Sequence, residues 1–325
     1  MSGDLGAEVV VRAAAATLDK YSDIDLLLVG DQTELSDLVT RFVGDNARLR
    51  IVHASEVVTM SEPPADALRR KKDSSMRVAI NLVKNGEADG CVSSGNTGAL
   101  MSIAKFVLKT QPGIDRPAFI TELPAIGGSI HMLDLGANAQ ASAEQLFQFA
   151  MMGSIVRSDF QGIERPRIAL LNIGAEDIKG NDTVREAAAL LQDSTLNYVG
   201  FIEGNDLFSG KADVVVTDGF TGNVALKTIE GAIGLVKHFL KQAFTRSWSS
   251  KLQALLASSV LKALSVEVDP RNYNGATLVG LNGIVIKSHG GADSVGFQHA
   301  IDTAIVEVRN QLPRQIGSLL EKEAV

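Results

Sequence analysis

The feature that most constrains this chain is the regular alternation of short, β-branched or leucine-rich runs with stretches of helical periodicity. The apolar runs fall at Ile24 to Val29, Arg50 to His53, Gly90 to Val92, Ala118 to Glu122, His131 to Leu135, Arg167 to Ile173, Tyr198 to Glu203, Val214 to Thr217 and Ile284 to Lys287. Between them, helical spacing covers Glu8 to Tyr21, Glu34 to Val43, Ser75 to Asn85, Gly98 to Leu108, Ser142 to Val156, Asn181 to Leu191, Asn223 to Phe244 and Phe297 to Leu312. Strands that alternate with helices build βα units around a mostly parallel sheet, with helices on both faces. The 325 residues exceed the usual single-domain size, yet sheets of this class reach such lengths as one unit. One domain is therefore expected. Aromatic residues make up only 5% against 45% hydrophobic overall, so Ala, Val, Ile and Leu must fill the core, as suits a sheet buried on both faces.

The chain opens on Gly3-Asp4-Leu5-Gly6, a turn that feeds a helix, where a βα protein would first supply a strand. Either a native first strand is missing before Met1, which is the expectation, or the sheet is built without it.

Composition narrows the function classes. A formal net charge of −7 argues against an extended nucleic-acid surface, because phosphate backbones are held by clustered Lys and Arg. Cys91 is the single cysteine and lies in an apolar run, so no intrachain disulfide forms and a buried structural thiol in a reducing cytoplasm is the natural reading. No positively charged start leads into an apolar stretch, and no window approaches the roughly 20 apolar residues of a spanning helix. The five histidines show no paired ligand spacing, so no metal is expected. Nucleotide fingerprints are missing too: the nearest approach to a Walker loop, Gly204 to Lys211, carries an extra residue and has Ala212 where Ser or Thr should hold magnesium.

Four strand-to-helix turns are rich in Gly, Asn, Asp and Thr: Ser93 to Gly98, Asp134 to Asn138, Asn172 to Glu176, and Asp218 to Asn223. One such turn is ordinary turn chemistry. Four of them, meeting where helix N-termini offer free N–H groups, would cradle a phosphate or carboxylate.

Taken together, Ser94-Gly95-Asn96-Thr97-Gly98-Ala99, Leu133 to Asn138, Leu171 to Gly174 with Lys179-Gly180, and Thr217 to Lys227 resemble the motif series of the PlsX phosphate acyltransferases in order and spacing. Tyr273 to Ala276 and Ile286 to Gly290 continue the likeness, which covers nearly the whole chain. The family begins with a strand ending in Asp-x-Met-Gly-Gly-Asp, whereas this chain starts inside that motif, with Ser2 at the first Gly. The resemblance implies a three-layer α/β/α fold similar to isocitrate and isopropylmalate dehydrogenases and to phosphotransacetylase, usually as a homodimer. It implies transfer of a long-chain acyl group from acyl carrier protein to inorganic phosphate, without a cofactor, upstream of glycerol-3-phosphate acylation.

On that footing Lys179 would neutralise phosphate or the developing oxyanion, its bland alternative being a solvated lysine. Asn223 would donate to an acyl or phosphate oxygen, or cap its helix. Asp218 reads as a turn-former or an orienter of Lys179. Ser94, Gly95, Asn96, Thr97, Gly98, Asp134, Asn138, Thr221 and Gly222 line the expected substrate site, and Lys287 and His289 would add phosphate contacts. No Ser or Cys sits in a nucleophile elbow, so no covalent acyl intermediate is expected.

Two surface features complete the reading. Arg69-Arg70-Lys71-Lys72 is a solvated helix face or a docking patch for an acidic carrier protein. Trp248, Leu252, Leu255, Leu256, Leu261 and Leu264 form a stripe within a helical segment at 245–266, suited to a core or dimer interface, or to a peripheral membrane surface. The competing activities are a phosphotransacetylase-like enzyme using coenzyme A thioesters and a non-catalytic carrier-protein adaptor. A dehydrogenase is disfavoured because no nicotinamide fingerprint is present.

Overall fold

The computed structural model describes residues 3–267 and 269–323. In chain order the elements are α1 (Ala7–Lys20), β1 (Leu26–Gly30), α2 (Gln32–Phe42), β2 (Leu49–His53), α3 (Pro64–Arg70), α4 (Ser75–Asn85), β3 (Gly90–Ser93), α5 (Thr97–Leu108), β4 (Ala118–Ala125), β5 (Gly128–Leu133), α6 (Ala143–Gln161), β6 (Ile168–Leu171), α7 (Asp182–Gln192), β7 (Tyr198–Ile202), β8 (Val214–Val216), α8 (Gly219–Thr245), α9 (Trp248–Leu256), α10 (Ser258–Glu267), β9 (Ala276–Val279), β10 (Ile284–Lys287), α11 (Ser294–Arg309) and α12 (Leu312–Glu323). Local chemistry sets several of these limits. Ser74 caps α4 by accepting from the Arg77 N–H, and Gly86 ends it in the left-handed region. Ser142 and Gln145 close a capping box on α6.

Eight strands form one sheet in the order β3-β10-β9-β4-β5-β8-β6-β7, and β1 pairs with β2 in a separate parallel pair. The pairings are parallel at both ends of the large sheet, whereas β10–β9, β9–β4 and β4–β5 are antiparallel. The sheet is thus mostly parallel, as expected, with an antiparallel centre. That centre arises because β4 and β5 join through a tight hairpin whose Gly127 and Gly128 take positive φ. The strand β9 was not anticipated.

Side chains alternate across the sheet with period two. Val215 points into one core with Met132, Val285 and the helices α4 and α5; Val214 and Val216 point into the other, with α6, α7 and α12. Helices α1 and α11 share a further cluster that includes Ala13, Phe297 and Ile301 on the face of β3 and β10. This is the three-layer arrangement with two covered faces.

Within that packing Glu307 of α11 is fully buried, accepting from the Thr277 hydroxyl of β9 while its Oε2 has no partner among the described residues. Burial pushes its carboxyl up to about 8. The folded state therefore keeps a proton that the unfolded chain releases near the ordinary glutamate value, so stability falls as pH rises between those two values. Thermal melting from pH 5 to pH 8 should show a decline in the native protein relative to Glu307→Gln, which has no such proton to lose.

Candidate functional site

Asp134 organises the first part of the site. Its carboxylate is fully buried and accepts from the backbone N–H groups of Phe119 at 3.0 Å, Gly136 at 3.2 Å, Ala137 at 3.0 Å and Asn138 at 2.7 Å, and from the Asn138 amide at 2.9 Å. Burial raises its pKa, and these donors oppose the shift. Asn138 also donates to the Pro117 carbonyl at 2.8 Å. Both residues were expected to touch substrate. Their polar atoms are instead spent inside the loop, so they shape it rather than face a ligand.

The N-terminus of α8 docks on that loop. The Gly219 N–H donates to the Asn138 carbonyl at 2.8 Å, and a Cβ at Gly222 would collide with the Asp134 carbonyl oxygen. Asp218 is the N-cap, accepting from the Thr221 N–H at 2.7 Å, which makes it the turn-former of the two readings above. Asn223 is therefore not a cap. It lies in the second turn of α8, exposed, against Gly136, where the missing side chain and a φ of 121° leave it room. Thr221 is exposed beside it.

Lys179 belongs to the loop after β6. There the Asn172 amide donates to the Lys179 carbonyl at 3.1 Å, the Lys179 N–H donates to the Glu176 carbonyl at 2.9 Å, and Gly180 takes a φ of 90°. The Lys179 side chain is exposed and has no ion pair among the described residues. Because β5, β8 and β6 are parallel neighbours, the loops carrying Gly136, Asn223 and Lys179 emerge at the same end of the sheet.

A second group gathers where β3 and β10 end. Asn96 caps α5 through the Ala99 N–H and donates to the carbonyls of Thr59, Met60 and Glu62 at 3.2, 2.9 and 3.0 Å. Like Asp134, it is committed internally. Gly95 is buried, Gly98 packs under Pro64, and Thr97 is exposed. Gly3 sits against Ser94 and Gly290, and the Asp4 N–H donates to the Gly290 carbonyl at 3.0 Å. The backbone N–H of the exposed His289 donates to Asn274 at 2.8 Å, and its ring Nδ1 accepts from the Gly291 N–H at 3.1 Å. Burial draws the Lys287 ammonium down to about 8, helped by Lys227 and opposed by Asp4.

The four turns do not leave the sheet in one direction, although the register Ile286–Thr277–Ile120–Leu133–Val216 sets the ends of their strands on one row. Three antiparallel pairings separate β10 from β5, so the Ser93 to Gly98 turn leaves the sheet in the opposite sense to the other three. The first turns of α8 span the difference: Lys227, one helical turn beyond Asn223, bears on Lys287. Lys227 and Asp4 had been given no role in the sequence. The spacing of Asn223 and Lys227 on one helix face was the available signal.

On the surface, Arg69 and Arg70 are exposed at the end of α3, while Lys71 lies 4.0 Å from Glu56 and Arg70 lies 3.7 Å from Asp66. The expected single stripe at 245–266 is two helices, α9 and α10, broken at Ala257. Trp248, Leu252, Leu255 and Leu256 are exposed; the Leu264 side chain lies outside the described residues.

The internal commitment of Asn96 has a measurable consequence. Asn96→Ala removes a cap and strands three carbonyls, and should cost about 2 kcal/mol in urea unfolding, whereas Thr97→Ala should leave the unfolding midpoint nearly unchanged.

Comparison with known proteins adds kinship to this geometry. A phosphate acyltransferase of Nitrosococcus oceani is 55% identical over 322 residues, covering 99% of this chain and 95% of that protein. One from Legionella pneumophila (strain Paris) is 54% identical over 314 residues, covering 96% and 92%. Among solved structures, a phosphotransacetylase from Streptococcus pyogenes shares the fold with a TM-score of 0.60 at 19% identity, covering 94% of this chain and 92% of that one. The EutD phosphotransacetylase from Staphylococcus aureus gives 0.58 at 17%, covering 93% and 91%. A family model described as fatty acid synthesis protein matches residues 1–315, and with such relatives along its length the chain belongs to that family, the one its motifs resembled.

Proposed function

We propose that the protein transfers a long-chain fatty acyl group from the thioester of acyl carrier protein to inorganic phosphate, giving acyl phosphate and the free carrier thiol. The observation that carries this reading is the pair Lys179 and Asn223, two exposed donors, one on the loop after β6 and one in the second turn of α8, at the same end of neighbouring strands, in a chain akin to phosphate acyltransferases. Phosphate is largely a dianion at neutral pH, so its attack on a thioester needs no strong base. It needs neutralisation, alignment and a site for the oxyanion.

In the mechanism that follows, Lys179 offsets the charge of phosphate as its oxygen approaches the carbonyl carbon. Asn223 donates its amide to the oxygen that becomes negative in the tetrahedral intermediate. Collapse breaks the carbon–sulfur bond, and the departing thiolate takes up the proton that hydrogen phosphate gives up, relayed through water, so that the products are the acyl phosphate dianion and the free thiol. Lys287, Lys227 and His289 supply further positive charge and donors along α8. Lys179→Ala and Asn223→Ala should each lower phosphate-dependent release of free carrier by at least ~100-fold, with thermal melting unchanged because both side chains are exposed. Native turnover in either variant refutes the assignment.

A second reading is favoured by one observation, the fold shared with phosphotransacetylases, whose likeness invites a coenzyme A thioester as donor. Parallel assays with long-chain acyl carrier protein and acetyl coenzyme A separate the two.

The exposed Arg69 and Arg70 suit an acidic carrier protein. Arg69→Glu with Arg70→Glu should raise KM for the carrier substrate several-fold and flatten its salt dependence, with kcat preserved; an unchanged KM counts against docking there.

Beyond its anchored start, α8 exposes Leu235, Val236, Phe239 and Leu240, and α9 exposes Trp248, Leu255 and Leu256. No helix among the described residues is long and apolar enough to cross a membrane. These surfaces suit a homodimer contact on α8 and a peripheral seat on the cytoplasmic face of the membrane through α9, where acyl phosphate would reach glycerol-3-phosphate acylation. Liposome flotation with and without Trp248→Ala and sedimentation velocity check both: protein that stays free of anionic liposomes and sediments as a single protomer removes them.

A further inference from the structure

The motif Tyr273 to Ala276 has no part in the mechanism above, yet Asn274 within it reaches the segment that carries Lys287 and His289. Its amide nitrogen donates to the Ser288 hydroxyl at 2.8 Å and to the Gly296 carbonyl at 2.6 Å, and its oxygen accepts from the His289 N–H at 2.8 Å. One side chain thereby joins three segments: the turn before β9, the end of β10 and the first turn of α11. A second tie runs beside it. Arg271, in the single turn Pro270–Tyr273, donates to Asp269 at 2.6 Å and to Asp293, the N-cap of α11, at 3.1 Å. Gly275, with a φ of 125°, lets this turn press against Ala300 and Thr303 of α11.

The direction in which Lys287 faces follows from the period of its strand. Ile284 and Ile286 pack with Ala300 and Ala304 of α11, whereas Val285 enters the core that also receives Ala225, Leu226 and Ile229 of α8. Ser288 remains in the ladder, its N–H donating to the Ser93 carbonyl at 2.9 Å, so the alternation runs on beyond Lys287. Ser288 therefore points back toward α11, where it is fully buried and meets Asn274, and Lys287 falls on the α8 side. Lys227 bears on it there. Lys227 is paired with Glu230 at 2.9 Å, while the Lys287 ammonium donates to the Ser288 carbonyl and has no ion pair among the described residues. Positive charge gathered in this way suits an anion.

We propose that Asn274 is a positioning residue for phosphate: by gripping Ser288 from the rear and the His289 N–H from the end, it fixes Lys287 and His289 opposite Lys227, where they receive the anion. This role rests on the phosphate-transfer reading above. Among side chains of this length only an amide offers two donors and an acceptor together. A carboxylate would lack the donor for the Gly296 carbonyl and would set a negative charge near the phosphate.

If Asn274 served folding alone, its loss would lower the melting temperature and leave the phosphate affinity of the folded protein as it was. Titration calorimetry of the full chain with inorganic phosphate gives Kd without turnover, and assays at saturating acyl thioester give the KM for phosphate. Asn274→Ala should raise both constants at least ~10-fold, as the loss of two or more hydrogen bonds would, with the KM for the acyl donor unchanged. Ser288→Ala removes the rear bond alone and should raise them roughly threefold; it decides the matter if Asn274→Ala melts below the assay temperature. In a Lys287→Ala background, Asn274→Ala should add a smaller further rise, because part of its effect passes through that lysine. Native phosphate constants in Asn274→Ala, or a full and independent rise in the Lys287→Ala background, overturn the role and leave the phosphate-transfer activity standing. A native chain that neither binds phosphate nor releases carrier thiol removes the activity and the role together.

Discussion

The site rests on one buried carboxylate. Asp134 draws five N–H donors onto itself, and in doing so folds the loop after β5 into the platform on which α8 begins. The platform works only because α8 starts with glycines where backbone meets backbone, at Gly219 and Gly222. An ionised group in so dry a place is tolerable when its oxygens are saturated with donors. The close approach then sets the position of Asn223 over Gly136, and of Lys227 one turn further on. Under the proposed mechanism the chemistry falls to exposed residues such as Lys179 and Asn223, held in place by others, such as Asp134 and Asn96, whose polar atoms are spent internally.

That division explains how much of the site was legible in the sequence. The turns were recognisable from their Gly, Asn and Asp content, and their position after strands was right. Composition does not say which Asn or Asp is spent internally. Asn96 and Asn223 look alike on paper, yet Asn96 binds three carbonyls of another loop and Asn223 binds none among the described residues. Only packing from distant parts of the chain, such as residues 59–62 against α5, separates them.

The fold itself was clearer, because each element carries its own signals. α4 was placed at Ser75 to Asn85, where its cap residues Ser74 and Gly86 put it. α8 begins four residues ahead of its expected start because Asp218-Gly219 was read as turn chemistry, although Asp218 is the cap. Strand direction is another matter. Whether β9 runs with or against β4 depends on how the chain returns to the sheet, and nothing in the four residues of β9 encodes it.

The antiparallel centre has one more consequence. By turning the sheet's polarity around between β10 and β5, it makes two groups of crossovers face each other across the row Ile286–Thr277–Ile120–Leu133–Val216. Lengthening the connection after β6 enlarges the rim near Lys179 and leaves the surroundings of Ser94 untouched; growth after β3 does the reverse. Each rim can change its contour through insertions without a matching adjustment across the sheet, and α8 is the strut that keeps the two in step.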